Sequence, residues 1–416
     1  MHDDWVDWVR LSGRKFPLDD VRADPDNYAR ALAAARTEKS AECLCRPTPL
    51  QLVTRATQSG RHHLACWPGT GPKHRPQCAF HRLDPETSGA SAYTDSAIRE
   101  AADGTSIRFA APLVSNPSET TRAAVDQNAY PGVGRRSMGL LGLVHHLWEA
   151  SRLTAWSAGS RARTWADVAR AVEQYAQTLT ISRQPAERCL FTVPAYRREL
   201  AAANLAAFDT FVATLQADRK QIRRGFVLGE IKSIDEGQYG LRYQLAHQSR
   251  QRQIFVNAEL DSRLRSSYRP AFAQAGEDAG GRKVGLFYVE RSRNGFTIAV
   301  DAAVMLTNSA YIPSDSSFEV RMADALHAAG RSFIKPVTYD AASDAVFPDY
   351  VLTDTTAPTY VEVWGLPGRE DYERRKAEKI AHYQRAAATL IEWNVGNPMP
   401  NLRHTGGGYR DRLSAS

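Results

Sequence analysis

The chain has 416 residues, of which 43% are hydrophobic and 24% charged, a composition that excludes a mainly disordered protein. Its 53 basic and 46 acidic residues give a net charge of +7, and its length predicts two or three domains at about 150 residues each. No apolar run approaches the roughly 18 residues of a membrane-spanning helix and the N-terminus has no apolar signal core, so we expect a cytoplasmic protein without a membrane partner.

The N-terminal region, residues 1–135, begins with helical sequence and continues with a group of cysteine and histidine residues. Tyr28–Arg36 is rich in helix formers and predicts a short helix. Further along, Ser59-Gly60 is typical of a turn that joins two strands within residues 50–67. Residues 83–135 are rich in Ser, Thr, Pro and Asp, which predicts an irregular connection with one strand at Thr105–Pro112.

Four of the five cysteines lie within 36 residues and close to several histidines. In a chain without an export signal, such a cluster indicates metal binding rather than disulfides. Paired spacing lets each of two short turns supply two ligands to a closed, tetrahedral Zn²⁺ site, which leaves no open position for catalysis. We therefore predict a structural zinc hairpin at about residues 41–82, whose ligands are Cys43, Cys45, His74 and Cys78. Cys66 or His81 is an alternative ligand, free thiols are the alternative to metal, and Cys189 is expected to be buried.

The middle of the chain is predicted to be helical and then β-rich. Helices are expected at Met138–Leu153, Trp165–Leu179 with Thr164 as N-cap, and Ala195–Gln216. Residues 136–224 are therefore a helical subdomain, either winged-helix-like or a plain bundle. Alternating sequence predicts strands in a β-rich module at residues 225–311, at Gly225–Ile234, Gly240–Leu245, Gln253–Val256, Lys283–Val289 and Gly295–Val300.

Positive charge is concentrated in this middle part. Residues 151–300 contain 23 basic and 14 acidic residues, a balance that suits a polyanionic partner such as DNA. A basic run is expected to contact phosphates without reading sequence, and it consists of Arg219, Lys220, Arg223 and Arg224. The alternative is that this run is the solvated end of a helix.

Two carboxylates in the C-terminal part are expected to lie side by side. Asp315–Gly330 predicts a capped helix that carries Glu319, and Phe333–Tyr339 predicts a strand. Asp349 begins the next strand and Glu362 lies within Thr359–Gly365, so a hairpin between these strands brings the two carboxylates to one face. Such a pair repels itself unless a cation lies between, and a hard cation such as Mg²⁺ or Mn²⁺ binds carboxylate oxygens and can activate water.

A lysine is also expected near this pair. The predicted helix Tyr372–Trp393 carries two lysines and two tyrosines at offsets of 0, 4, 7 and 11 residues, which places all four on one face: Tyr372, Lys376, Lys379 and Tyr383. A lysine directed at a core face needs a partner, and the Asp349/Glu362 pair supplies one. Lys379 is the first choice because it lies deeper in the helix, and Lys376 is the second. The alternative is a solvated face that pairs with neighbouring glutamates.

The order of these residues resembles the PD-(D/E)xK, or restriction-endonuclease-like, nuclease superfamily over roughly the last 100 residues. Trp364 stands where the simplest motif has lysine, and the helical lysine is similar to that of the subgroup with a migrated lysine. The resemblance implies that Asp349 and Glu362 bind the metal, that Lys379 or Lys376 is the migrated lysine, and that Glu319 is the acidic residue of the first helix. The chain as a whole resembles an uncharacterised bacterial family of conjugative and integrating elements, with Cys-x-Cys before Gly-Pro-x-His-x-x-x-Cys.

These expectations combine into an α+β multidomain protein with an N-terminal zinc hairpin, a basic helical and β-rich middle, and a restriction-endonuclease-like domain at residues 312–396, followed by a flexible tail at residues 397–416. The expected function is metal-dependent hydrolysis of DNA phosphodiesters by a deoxyribonuclease of a mobile element. Mg²⁺ or Mn²⁺ is the expected catalytic cofactor and Zn²⁺ the structural one, and DNA and other mobile-element proteins are the expected partners. The alternatives are a non-catalytic DNA-binding accessory protein with an inactive nuclease fold, and a protein-interaction module that uses the zinc hairpin.

Overall fold

Four β-sheets organise the part of the chain that the structure, a computed structural model, describes: residues 7–57, 60–84, 93, 97–115, 137–217, 221–238, 240–338, 347–365, 370–386 and 388–403. Helices cover these sheets, so the protein is of the mixed α/β class. None of the helices in these ranges is long and apolar enough to cross a membrane.

The N-terminal sheet carries the cysteine cluster. Its elements are β1 (Trp8–Leu11), β2 (Arg14–Pro17), α1 (Leu18–Ala23), α2 (Ala29–Glu38), β3 (Glu42–Cys43), β4 (Leu50–Ala56) and β5 (His62–Cys66). The strand order is β2-β1-β3-β4-β5, antiparallel throughout. The predicted helix corresponds to α2, and the predicted hairpin corresponds to the β4–β5 pair, although Ser59 lies outside the described residues. Strands β1 (WVRL) and β2 (RKFP) lack the strict alternation of apolar and polar residues that predicts a strand.

The segment after this sheet forms helices at the expected places and also supplies short strands. Its elements are β6 (Ile98–Glu100), β7 (Thr105–Ile107), β8 (Val114–Ser115), α3 (Leu140–Ala150), β9 (Ala155–Trp156), α4 (Trp165–Ala176), β10 (Leu179–Ile181), β11 (Gln184–Pro185), α5 (Ala186–Cys189), β12 (Leu190–Thr192) and α6 (Ala201–Thr214). As predicted, Thr164 caps α4, in a capping box with Asp167. Strands β11-β10-β7-β6 form a small sheet, while β12 and β9 each join a different sheet. The helical segment is therefore joined to two neighbouring sheets through its own short strands.

The β-rich module is a closed barrel. Its elements are β13 (Ile222–Gly237), β14 (Gly240–Leu245), β15 (Ile254–Val256), α7 (Ala258–Ser267), α8 (Arg269–Phe272), α9 (Gln274–Asp278), β16 (Arg282–Arg291) and β17 (Thr297–Thr307), so all five strands predicted in this module are confirmed. The first half of β13 pairs with β16 and its second half with β14, and β15 pairs in parallel with β17. This ring, with helices between its third and fourth strands, has the strand order of an OB-fold barrel.

β13 changes partners just after Gly229, between Glu230 and Ile231. A Cβ atom on Gly229 would lie 2.8 Å from Leu245 Cδ1, so a larger residue there would require the Leu245 side chain to shift. The register against β14 then shifts between Ile231 and Ser233. A bulge of this kind bends a strand and increases its twist, which lets one long strand belong to both sides of the barrel.

The C-terminal sheet is framed by two helices. Its elements are α10 (Ser317–Ala328), β18 (Phe333–Ile334), β19 (Tyr350–Leu352), β20 (Thr359–Trp364), α11 (Glu370–Arg385) and β21 (Thr389–Asn394). The order is β21-β20-β19-β18-β9; β20 and β21 are parallel and the other neighbours antiparallel. The prediction of one helix from Tyr372 to Trp393 is wrong in its last part, because residues 389–394 leave the helix and pair with β20. Ile391 and Trp393 pack there on the core of the sheet instead of continuing the helical stripe.

A buried ion pair joins two connections of this sheet. Arg331, 4% exposed, donates from Nε and Nη2 to Asp354 at 2.9 and 2.8 Å, and from Nη1 to the Leu402 carbonyl at 2.9 Å. The backbone N–H of Ser332 also donates to Asp354 at 2.7 Å. Arg331 therefore fixes the start of β18, the β19–β20 turn and the C-terminal segment together.

Replacing Asp354 with Ala is expected to destabilise the C-terminal sheet by about 3 kcal/mol, because it leaves the buried Arg331 guanidinium without its counter-charge. The midpoint of urea unfolding, followed by tryptophan fluorescence, measures the effect. The control is Asp103→Ala, an exposed acid between β6 and β7, which should leave the midpoint unchanged. Equal midpoints for the two variants would contradict this role of the ion pair.

Candidate active site and metal centre

Asp349 and Glu362 face each other across two antiparallel strands. Tyr350 pairs with Val361 in the β19–β20 register, so Asp349 and Glu362 are the next opposed residues. Opposed residues of antiparallel strands project from the same face of a sheet. Asp349 Oδ2 accepts a hydrogen bond of 2.7 Å from the Val363 backbone N–H, which fixes its carboxylate beside β20, and Glu362 is only 1% exposed.

Helix α11 directs a lysine and a tyrosine at Glu362. Lys379 Nζ donates to Oε1 and Oε2 of Glu362 at 3.0 and 2.9 Å, and the Tyr383 hydroxyl donates to Oε1 at 2.5 Å. Residues 379 and 383 are one helical turn apart, so both reach the same carboxylate. Lys376 instead donates to Asn394 Oδ1 at 2.7 Å and lies 5.0 Å from the centre of the Trp364 ring. Of the two candidate lysines, the structure brings Lys379 to the acidic pair.

A second lysine, Lys335, lies in the same cluster and has no counterpart in the sequence motif. It follows β18 and is only 3% exposed. Its Nζ lies 2.8 Å from Asp315 Oδ2 and 2.9 Å from Glu319 Oε2. The sequence does contain a sign of this lysine, because Lys335 interrupts the apolar sequence Phe333 to Val337. A lysine buried in such a segment requires acidic partners.

Helix α10 is positioned by its N-terminus and by β19. The Ser316 hydroxyl accepts a 3.1 Å hydrogen bond from the Glu319 N–H and so caps the helix, and the Glu319 carboxylate accepts one of 3.0 Å from the Asp315 N–H. The Tyr350 hydroxyl donates to the Glu319 carbonyl at 2.7 Å. Because Tyr350 is adjacent to Asp349, this bond holds the first turn of α10 against the acidic pair.

Burial and mutual repulsion raise the proton affinity of the acids. Burial, followed by the charge of Glu362, raises the pKa of Asp349 to about 6. Burial raises the pKa of Glu319 to about 7 although Lys335 opposes the rise. The pKa of Glu362 is also raised, because burial outweighs the charge of Lys379. Burial alone would lower the pKa of Lys335, but Asp315 and Glu319 raise it well above its ordinary value. Two lysines thus neutralise the acids only in part.

The predicted zinc ligands form a second cluster. Ligand atoms of Cys43, Cys45, His74 and Cys78 all lie within 4.8 Å of one another, and all four residues are buried. Cys43 Sγ is 3.5 Å from Cys78 Sγ, and His74 Nδ1 is 3.4 Å from Cys45 Sγ. Three thiols and one imidazole in this arrangement can hold a structural metal such as Zn²⁺.

The alternative ligands lie outside this cluster. The Cys66 thiol contacts the Thr70 hydroxyl at 3.3 Å, and His81 Nδ1 lies 3.2 Å from the His74 carbonyl. Cys189 is buried, as expected, with its thiol 3.6 Å from the Pro185 carbonyl.

The cysteine cluster is connected to the rest of the chain through the segment that contains Cys78. Arg152, at the end of α3, donates to the carbonyls of Cys78 and His81 at 3.0 and 3.3 Å. Gln77 donates from its side chain to the Thr353 carbonyl at 2.5 Å, in the turn between β19 and β20. A metal held by Cys78 would therefore stabilise contacts to both the middle and the C-terminal sheet.

The basic run predicted to contact DNA is divided in the structure. Arg219 and Lys220 lie outside the described residues, and Arg223 is exposed on β13. For Arg224 the prediction is wrong, because its side chain is buried and its Nε donates to Glu290 at 2.9 Å. Arg223 and Arg224 do not form the end of a helix either, since both lie within β13.

Fold and clusters together define a mixed α/β protein with a possible Cys/His metal site near its N-terminus. The chain matches the family described as "Protein of unknown function (DUF1173)" over residues 17–396, and it belongs to that family. No curated protein and no solved structure matches the chain.

Purified protein is expected to contain about one zinc ion per chain, which Cys78→Ser should remove, because that change takes away one of four ligands. Metal analysis and thermal unfolding measure the effect, and loss of zinc should lower the unfolding temperature. Cys66→Ser is the matched control and should retain the metal. Equal zinc content in the two variants would contradict the ligand assignment.

Glu319 is expected to make the folded state less stable as the pH rises, in protein without added divalent cation. Its pKa of about 7 in the folded state exceeds the ordinary value of 4.5, so between these values the folded state holds a proton that the unfolded chain has released. The stabilisation is complete below pH 4.5 and is lost as the pH rises through 7.

The test is the free energy of urea unfolding at pH 5, 6, 7 and 8. Between pH 5 and 7, the free energy of unfolding of Glu319→Gln should decline less steeply than that of the wild type, by up to about 1.4 kcal/mol per pH unit. Glu378→Gln, at an exposed position on α11, should keep the wild-type slope. An unchanged slope in Glu319→Gln would show that Glu319 titrates normally.

Proposed function

We propose that this protein is a metal-dependent deoxyribonuclease of a mobile genetic element, and that residues 312–396 are its restriction-endonuclease-like domain. The observation that carries the proposal is the opposed pair Asp349 and Glu362 with Lys379 bonded to one of them. The element order supports it as well: a helix with Glu319, a strand, a strand after Asp349, a strand with Glu362, and a helix with the lysine. The mobile-element setting rests on the resemblance of the whole chain.

The donor set fits a hard divalent cation. Carboxylate oxygens are the ligands that Mg²⁺ and Mn²⁺ prefer. Burial is the main cause of the raised pKa values of Asp349 and Glu362, and a bound cation would stabilise the charged forms of both carboxylates. Asp349 and Glu362 would hold the ion. Glu319 lies close enough to Asp349 for its negative charge to strengthen the binding of a cation there. When bound, such an ion polarises a phosphodiester and activates water.

The other residues prepare the site. The Asp349 carboxylate is held by the Val363 N–H and the Glu362 carboxylate by Tyr383, so neither has to be ordered when a substrate arrives. Lys379 lies beside Glu362 and can donate to a phosphate oxygen or to the attacking water. Lys335 is a positioning residue, because its ammonium holds Glu319 and Asp315.

A specific observation also favours a second candidate function, a non-catalytic DNA-binding accessory protein. Lys379 already donates to both oxygens of Glu362, and Lys335 already pairs with Glu319. These lysines could neutralise the acids permanently, as in an inactive nuclease fold, and the protein would then bind DNA without cleaving it.

Plasmid and single-stranded DNA incubated with the protein and Mg²⁺ or Mn²⁺ should be cleaved, whereas Asp349→Asn and Glu362→Gln should lose the activity. Lys379→Ala should lower the rate at least about a hundredfold, since it removes a donor to developing negative charge. Product release on gels over time measures the rates.

Two matched variants serve as controls. Lys376→Ala removes the lysine that contacts Asn394, and Glu378→Gln removes an exposed acid next to Lys379, so both should cleave at the wild-type rate. DNA binding without metal-dependent cleavage would overturn the nuclease proposal in favour of the accessory protein. Equal cleavage by wild type, Asp349→Asn and Glu362→Gln would place the activity elsewhere.

A further inference from the structure

We propose that the barrel β13–β17 binds single-stranded DNA on its outer face, by stacking bases on Phe255 and Phe296 and holding phosphates with nearby arginines. This inference rests on the proposed function for the choice of DNA, and it names the form of DNA that the chain takes. A barrel topology alone does not define a ligand, whereas the side chains on its outer face indicate what can bind there.

An aromatic pair lies on this face. In the strand register Phe255 is opposite Arg242 on one side and beside Ile298 on the other, so the three side chains share one face of the barrel. Their neighbours Tyr243, Ile254 and Ala299 are buried, which identifies the opposite face as the barrel interior. Phe296, in the turn before β17, packs edge-on against Phe255 with ring centres 5.0 Å apart, and it remains 53% exposed. Phe296 is the one phenylalanine among the exposed large apolar side chains of the described residues, so its ring is open to a ligand.

A cavity of about 340 Å³ lies next to this pair. Its lining includes Phe255 and Phe296 from the barrel and Phe208 and Val212 from α6, so a flat ring that enters would meet apolar side chains of two elements. This volume is within the range of pockets that bind small organic groups. Bases that are paired in a duplex are not available to enter, whereas unpaired bases are.

Positive charge surrounds the cavity. Arg291 lines it, and Arg293 and Arg250 are exposed in the adjoining connections. No acidic residue in the described ranges forms an ion pair with any of these three. The acid that lines the cavity, Asp209, is neutralised by Arg252, and Asp301 pairs with Arg263. Proteins that bind single-stranded nucleic acid combine aromatic rings, which stack on bases, with basic side chains such as arginine, which donate hydrogen bonds to phosphates.

The test is fluorescence anisotropy of the zinc-loaded full chain with a labelled 15-nucleotide thymidine strand and with a duplex of equal length, in buffer without Mg²⁺ or Mn²⁺. The single strand should bind at least tenfold more tightly. Phe296→Ala should weaken its binding by about tenfold, within the range for the loss of one stacked base, while Phe296→Trp should retain it. Arg291→Gln should reduce the slope of log affinity against log salt by about 0.7, the loss of one phosphate contact.

Trp8→Ala is the control, because Trp8 is an aromatic residue of similar exposure (43%) in the N-terminal sheet, and it should bind like wild type. A 2-aminopurine base in the strand adds an independent readout, since its fluorescence should be quenched on binding by wild type and by Arg291→Gln but not by Phe296→Ala. Equal affinity for single strand and duplex, or wild-type binding by Phe296→Ala, would overturn the proposal. Since neither Mg²⁺ nor Mn²⁺ is present, the binding result is separate from cleavage: binding can fail while the nuclease proposal stands, and the reverse.

Discussion

Carboxylates that are held away from water need positive charge beside them, and this requirement determines the arrangement of the C-terminal sheet. Glu362 lies 1% exposed in a central strand and Glu319 lies 7% exposed in the first turn of α10. Lys379 approaches from α11 and Lys335 from the end of β18, so each acid has an ammonium within 3 Å. These contacts fix how both helices pack on the sheet, because moving either helix would leave a buried charge without its counter-charge. A cluster of four acids and two lysines is therefore held in position by contacts within the chain itself.

The other two units can be understood in relation to this site. The cysteine cluster is joined through Gln77 to the turn between β19 and β20, the two strands that carry the acidic pair. The barrel contributes the exposed Phe296, with Phe255 packed against it, and three arginines that form no ion pair within the described residues. As proposed, the barrel would bind single-stranded DNA and the acidic site on the C-terminal sheet would cleave it. The metal-binding segment would stabilise that sheet.

Local sequence patterns predicted those features that depend on neighbours in the chain. The spacing of Tyr372, Lys376, Lys379 and Tyr383 defines a helix face, and the paired cysteines define a ligand set, so both could be found without a structure. Lys335 was missed because its partner Asp315 is 20 residues away, and no local pattern links them. The two-residue strand β9 pairs with β18 across more than 170 residues, and β21 is a short apolar run whose periodicity does not distinguish strand from helix. The burial of Arg224 likewise depends on Glu290, in a strand 66 residues later.

Strand β9 also has a consequence for any attempt to separate the parts of this protein. It covers the outer edge of β18 with two residues that come from the connection between α3 and α4. A fragment that begins at residue 312 would keep the acids and both lysines but would expose that edge as a template for intermolecular strand addition. Truncation at this point therefore favours aggregation, and an isolated C-terminal fragment would have to carry residues 155 and 156 with it, by circular permutation or by grafting a replacement strand.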